Sequence, residues 1–511
     1  MSADVWLEHL RHARRLGGSG VHFPLVIVVG DEDDREFWDR HFARSLVSLL
    51  GPTSNVNEVS VAEPIRRGSM LGSLAAIHAS GMASSIEPIA LVQLVVGGGT
   101  RLSPFTQALR NRKAALPLPR RGSDGRFLTM VDLAVEGSLP LMDHLESDGF
   151  RGVLIRWGDE VQVPGVRWPA GPPADAYRFG SQRTPTDRLA EQKDWLLAEE
   201  DGSLISMLPR GPLGVLRAEH ARFPGSWLGV NLGSLAVSFD FVEVLSDVFR
   251  HDVSETRLAA DWDPYFWVAL GCESGGGWDA LVASEATGRF RAFAAEYPHF
   301  GGQVSEFRAE FERQMGRPPT VRAIDFGDPF WFDIGLQDAM RRSIHAVVDD
   351  GDVGRATRYL LDLPSEPDAQ GNYVLDVDGN VGPRVAGSLV AHSRVDRMEA
   401  EQAVLFASDV GSVDLAAGSI CGFSRVRGQL SLGANAVAYL LDASGPVAAV
   451  ERERITTVIV DGQQIEMRGS EDIPSYAGRS YTDPVMGNTI SFEEAGRRVE
   501  RISPLRDGRS T

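Results

Sequence analysis

The sequence predicts an α/β chain in two parts, an open sheet flanked by helices and then a C-terminal parallel β-helix-like domain. Near-continuous apolar runs at Phe23–Gly30 (FPLVIVVG), Ile89–Val96 (IALVQLVV) and Phe150–Asp159 (FRGVLIRWGD) read as strands buried on both faces. Helical periodicity fills the connections, as in DEDDREFWDRHFARSLVSLL, where acids occupy the first turn and Phe37, Phe42 and Leu46 share a face. Beyond residue 385, apolar residues recur six apart: Leu389 and Val395, Val404 and Val410, then Ile420, Val426 and Leu432. That spacing, with Gly and Ser between, marks a parallel β-helix coil; an ordinary β-sandwich is the competing arrangement.

Composition bounds what such a chain can do. At 511 residues, with 43% hydrophobic and 24% charged residues, it is expected to fold as a soluble protein of two or three domains. The composition breaks suggest a first domain over 1–345, a Gly/Asp-rich linker over 346–385 and a second domain over 386–511. A net charge of −19 argues against nucleic acid or an anionic membrane as partner, while leaving room for a local basic pocket. Cys272 and Cys421 are the only cysteines, too few for a disulfide framework or a thiolate metal site. With neither a signal-peptide core nor an apolar stretch of transmembrane length, a cytoplasmic location is expected.

Taken in order, residues 4–16 read as an amphipathic helix, 23–30 as a strand, and Asp31 as the cap of the next helix. A short strand near Asn57–Val61 precedes a Gly/Ser loop containing Gly68, Ser69 and Gly72, which opens a helix and so offers an anion or base-edge site. The strand at 89–96 then empties into Gly97-Gly98-Gly99, followed by Thr100 and Arg101. Consecutive glycines leave bare N–H groups that phosphate oxygens can approach, and open α/β sheets place ligands at such strand ends. Arg101 adds a fork of donors and Lys113 a point charge. The segment reads as a nucleoside-triphosphate loop, against the alternative of a glycine turn in a core strand. It lacks the Lys-Ser or Lys-Thr of a P-loop and the G-x-G-x-x-G of a dinucleotide fold. Of 51 basic residues only Lys113 and Lys193 are lysines, so positions that keep an ammonium are informative.

Further on, 139–148 reads as a helix, and the strand at 150–159 ends in Gly-Asp, which aims Asp159 into the crevice as a candidate Mg²⁺ ligand. Residues 160–180 are Pro- and Gly-rich and read as a flexible crossover. Pieces near 195–198 and 203–207 flank a hairpin turn that Lys193 enters. Residues 227–239 form a strand containing Asn231-Leu232-Gly233, and 240–315 are mostly helical.

GGG-T-R-L-S-P-F-T followed by K-A-A-L-P-L-P resembles the signature of sugar-1-phosphate nucleotidylyltransferases. LGSLAAI at 71–77 precedes the glycine loop instead of following it, and this order resembles the L-fucose-1-phosphate guanylyltransferase family. Residues 60–120 carry the resemblance; Val96 stands where the family has its first glycine, and Arg112 rather than Gly or Pro precedes Lys113. The resemblance implies a Rossmann-like nucleotidyltransferase domain with permuted motif order, joining a nucleoside triphosphate to a sugar 1-phosphate with release of pyrophosphate. Arg101 and Lys113 would be catalytic, with Gly97, Gly98, Gly99, Thr100, Gly68, Ser69 and Gly72 around the nucleotide. Asn231 and Gly233 resemble the family's sugar-pocket element, a bulge or turn within a strand being the alternative, and Lys193 is a candidate for the sugar phosphate. Ile324–Leu336 (IDFGDPFWFDIGL) resembles the segment that closes the catalytic domain, giving Asp333 as a second Mg²⁺ ligand with Asp325 and Asp328 as competitors. A non-catalytic nucleotide-sugar-binding regulatory or scaffolding homologue is the alternative function. The C-terminal domain is a candidate surface for homo-oligomer formation.

Overall fold

The computed structural model describes residues 2–62, 68–81, 87–96, 99–169, 173–251, 262–271, 275–284, 288–379, 381–473 and 479–499. Helix α1 (Ser2–Ser19) leads into β1 (His22–Val29), α2 (Glu32–Leu50), β2 (Asn55–Ala62), α3 (Gly68–Ser80) and β3 (Ile89–Leu94). The short pair β4 (Pro117–Arg121) and β5 (Phe127–Thr129) precedes α4 (Met130–Ser147) and β6 (Gly152–Trp157). Next come β7 (Glu160–Val163), β8 (Ala176–Gln182), β9 (Trp195–Ala198), β10 (Leu204–Leu208) and β11 (Trp227–Ser238). After a mainly helical stretch, β12 (Val321–Asp325) and β13 (Phe330–Asp333) complete this part.

Nine strands form one mixed sheet in the order β10-β9-β11-β6-β3-β1-β2, with β8 pairing β11 and β12. Strands β2, β1, β3 and β6 run parallel, and β11 lies antiparallel to β6. The chain leaves β1 for β2 on one side and returns to β3 on the other. That reversal opens a crevice at the carboxyl ends of the parallel strands. Alternate side chains fill two cores. Val26, Val28, Val92 and Ile155 pack with α3 and with the helices Phe239–Val248 and Phe300–Met315. Leu25, Ile27, Leu91 and Leu154 pack against Phe42 of α2 and Val131 of α4.

Two local expectations change. Helix α4 starts at Met130, well before 139, because the Asp132 carboxylate accepts from Thr129 N (2.7 Å) and Oγ1 (2.8 Å) and His41 Nε2 lies 2.9 Å from it. This capping arrangement fixes the first turn of a helix whose opening residues are almost all buried. The stretch 160–180 contains β7 and β8, where the Gly/Pro-rich reading expected a crossover. Val161, Val163, Tyr177 and Phe179 are all buried, and short buried strands are masked in sequence by the turn residues between them.

The C-terminal part is built from parallel strands that alternate between two sheets. Leu389 pairs with Val404, Val404 with Ile420, Ile420 with Val437, and Val437 with Arg454, so the chain returns to one sheet every 15 to 17 residues. Val395, Val410 and Val426 stack in the other sheet. For Leu389 to Val395, Val404 to Val410 and Ile420 to Val426 the six-residue spacing is therefore the step from one sheet to the next, whereas Val426 and Leu432 share one strand. Each step turns through a left-handed residue, His392, Ala407, Phe423 or Leu440, with φ of 51°, 49°, 50° and 55°. Buried serines stabilise the corners: Ser393 Oγ accepts from Ser408 N, Ser408 Oγ from Ser424 N, and Ser424 Oγ from Leu441 N, at 3.1–3.3 Å. The stretch 346–385 holds a helix, Asp352–Leu360, and the first strands of this stack. Cys421 is buried within the stack and burial pushes its thiol up to about 11, as suits a packing residue. Cys272 lies outside the described residues. Among the described residues no helix is long and apolar enough to cross a membrane.

Ser408→Ala should test the corner ladder. It leaves the buried Ser424 N–H without its acceptor and should cost about 1–3 kcal/mol. Denaturant unfolding measures this.

Candidate functional site

A cleft of about 890 Å³ opens at the carboxyl ends of β3 and β6. It is lined by Gly99, Thr100, Arg101, Lys113, Asp159, Lys193, Asn231, Gly233 and Asp333, bringing together residues from widely separated segments. Gly97 and Gly98 lie outside the described residues. Gly68 and Ser69 are the first residues of α3 and Gly72 is buried one turn on. Among the described residues lining the cleft, none belongs to α3.

Gly99 is required where it stands. Its φ of +57° is left-handed, and a Cβ there would lie 2.6 Å from Thr106 Cγ2 and 3.1 Å from Lys113 Cβ. The glycine thus lets the loop fold back onto the segment that carries Lys113. Gly99 O accepts from Leu102 N (2.9 Å) and Thr106 Oγ1 (3.1 Å), which closes the turn and leaves Arg101 exposed at the cleft.

Asp159 follows β6 at the turn into β7, and Asp333 ends β13, which pairs antiparallel with β7. Ile334 N donates to Asp159 O (3.2 Å), so a backbone bond fixes one aspartate beside the other. Their carboxylates converge: Asp333 Oδ1 and Asp159 Oδ2 lie 2.9 and 3.5 Å from the point a Cβ on Gly335 would occupy. Burial and then the neighbouring Asp159 charge raise the Asp333 carboxyl above its ordinary value, opposed by a Gly335 N–H bond of 2.5 Å and by Lys113 and Lys193. The Lys113 ammonium pairs directly with Asp159. Of the competitors, Asp325 caps backbone N–H groups of Gln182 and Gly327, and Asp328 pairs with Arg183; neither lines the cleft. Among the described residues no group of three or more His, Cys, Asp or Glu is placed to hold a metal alone. Two carboxylates held this close fit a divalent cation that takes its remaining oxygens from water and phosphate.

Several cleft residues escaped sequence reading because their partners are distant in the chain. Glu160 is buried and accepts from Trp331 Nε1 and Gln162 Nε2, both at 2.8 Å. Lys193 lies 4.7 Å from the centre of the Trp331 ring, so one tryptophan orders both an acid and a cation. Asn231 Oδ1 accepts from Arg178 Nη2 (3.0 Å) and Gly233 N (3.2 Å). Two donors fix the amide orientation and leave Nδ2 as the donor available to a ligand. Asn231 and Gly233 are also a bulge, since β11 shifts register there and Gly233 has a φ of +80°. Arg178 is fully buried and its charge is met by Asp263 at 2.6 and 3.1 Å. Arg210 and the Tyr265–Phe293 stack, with ring centres 3.9 Å apart, complete the far wall.

Burial, then Asp159 and Asp333, push the Glu160 carboxyl from 4.5 up to about 8. The folded chain then keeps a proton that the unfolded chain releases, so this group's stabilising contribution is full below its unfolded value and is lost as pH rises towards 8. Glu160→Gln should flatten the fall in Tm across that window, as followed by thermal melts in a buffer series.

Comparison of the chain with protein-family models and with curated proteins finds no match.

Proposed function

We propose that this chain is a sugar-1-phosphate nucleotidylyltransferase, with a Rossmann-like catalytic part of permuted motif order and a parallel β-helix behind it. The observation that carries the reading is the convergence of Gly99, Arg101, Lys113, Asp159 and Asp333 on one cleft. In the reaction an oxygen of the sugar 1-phosphate attacks the α-phosphorus of the nucleoside triphosphate. The bond to the bridging oxygen breaks, and pyrophosphate leaves with that electron pair. The nucleophile is already anionic, so the site needs no general base. Its work is to align two anions and offset their repulsion.

Arg101, with no ion pair or hydrogen bond among the described residues, presents its fork to the triphosphate. Lys113 is the point charge for the α-phosphate region. Asp159 and Asp333 would hold Mg²⁺, which when bound neutralises phosphate charge. Lys193 and the Asn231 amide serve the sugar phosphate. The two-cysteine composition and the absence of a membrane-crossing helix among the described residues fit a cytoplasmic enzyme.

Pyrophosphate release across the four ribonucleoside triphosphates and a panel of sugar 1-phosphates tests the reading; binding without turnover would favour a regulatory homologue. With the best pair, Lys113→Arg should lower kcat by roughly 10²–10³ with triphosphate affinity changed less, because a planar fork keeps the charge but cannot approach phosphate as an ammonium does. Asp159→Asn and Asp333→Asn should each abolish turnover while leaving the melting transition cooperative. Near wild-type rates in any of the three would remove that residue from its assigned role.

A further inference from the structure

We propose that the Asp34–Arg112 ion pair sets the position of Lys113, Arg112 acting as a positioning residue outside the cleft. The kinetic consequence rests on the transferase reading; the placement itself does not. Residues 100–116 contain no strand and only three single-turn 3₁₀ segments, Thr100–Leu102, Gln107–Leu109 and Lys113–Ala115. Its backbone bonds are mostly local turn bonds, such as Arg112 N to Leu109 O at 3.1 Å, and among the described residues none of them joins the segment to the nine-stranded sheet. Immediately before it, Arg110 and Asn111 both take left-handed backbone angles, with φ of 53° and 61°. Two such residues in succession are costly unless their surroundings hold them. Asn111 N donates to Thr106 O (2.8 Å), and its Oδ1 accepts from Gln107 Nε2 (3.3 Å).

The next residue supplies the anchor to the sheet. Arg112 is 5% exposed, its Nε donates to Asp34 Oδ1 at 2.7 Å, and its guanidinium lies 4.6 Å from the centre of the Phe37 ring. Asp34 and Phe37 belong to the first turns of α2, which Asp31 caps directly after β1. A planar cation that stacks and hydrogen-bonds at once accepts only a narrow range of positions. Arg112 O in turn receives Ala115 N at 2.9 Å, which starts the turn presenting Lys113 to the cleft. The adjacent side chains thus divide the work: Arg112 grips α2 beside the parallel sheet, and Lys113 faces Asp159.

The chain has two lysines, so reductive ¹³C-methylation of the full-length protein gives two side-chain signals to follow, assigned with Lys193→Arg. In Arg112→Met the Lys113 signal should move or broaden while that of Lys193 stays in place, and Asp34→Ala should reproduce the change. In unmodified protein both variants should lower kcat by roughly 10- to 100-fold, since a displacement of about 1 Å at a reacting centre costs that much. KM for the triphosphate should change far less. The double variant should be no worse than Arg112→Met alone, because the two residues act as one unit. An unshifted Lys113 signal in a folded Arg112→Met protein overturns the proposal whatever the activity. Should that variant fail to fold, an unshifted signal in Asp34→Ala overturns it equally. If the wild type transfers no nucleotidyl group to any sugar phosphate, the transferase reading fails while the signals still decide the placement.

Discussion

The structure depends on holding residues 100–116 in place without regular secondary structure. Such a segment must be fixed by side chains and isolated backbone bonds, and here they come from both parts of the protein. Leu102, Phe105 and Leu109 enter a core shared with Phe406, Val437, Tyr439 and Phe492 of the C-terminal part. Tyr439 donates its hydroxyl to Pro117 O, and Gln337 its side-chain amide to Ser103 O. The contact is close-packed at two glycines. A Cβ on Gly469 would lie 3.0 Å from Pro104 Cδ, and one on Gly496 would lie 2.6 Å from the Asn111 amide. The parallel sheets of the C-terminal part are thus the floor on which the segment carrying Lys113 rests.

The cleft gathers like charges at the end of that loop. Asp159 and Asp333 raise the cost of ionising Glu160, and Asp159 raises that of Asp333, where Lys113 and Lys193 offset part of it. An arrangement of this kind is poised to gain from binding a cation and phosphate together, because the ligand's charges replace a protein-internal compromise. The −19 net charge of the whole chain would by itself repel a triphosphate. For the proposed substrate, attraction would have to be local, and exposed Arg101 and the Lys113 ammonium are cations that line the cleft beside Gly99.

Much of the open sheet was legible in the sequence because its parallel strands are buried on both faces and read as apolar runs. The strands at 22–29, 89–94 and 152–157 were found that way, the antiparallel strand at 227–238 by its resemblance to a family strand, and the hairpin at 195–208 by its Gly-containing turn. β7 and β8 were hidden by prolines and glycines around them, and the start of α4 lay in the Thr129–Asp132 capping contact, which was not read. The corners of the C-terminal stack are a second lesson. His392, Ala407, Phe423 and Leu440 share no residue type, yet occupy one left-handed position, so the period shows in the apolar residues and not at the turns. In the cleft, motif residues were recognisable one by one. Glu160 and Asp263 were not, nor was Arg178 buried behind Asn231, since each acquires meaning from a partner in another segment.

The pair Arg112-Lys113 shows why the scarcity of lysine carries information. The chain uses arginine almost everywhere a cation stands, including at position 112, where stacking on Phe37 and bonding to Asp34 exploit a planar fork. At 113 the same choice would put a planar fork where the ammonium now pairs with Asp159. Lys113 Cβ lies against the Gly99 backbone, close enough that even a methyl group there would crowd it, and its ammonium must meet a carboxylate in the confined end of the cleft. A flexible stem ending in a compact charge fits that path, whereas a guanidinium presents a broad plane to it. Adjacent residues of equal charge thus differ in task by shape, one gripping α2 through Asp34 and the other meeting Asp159 in the cleft.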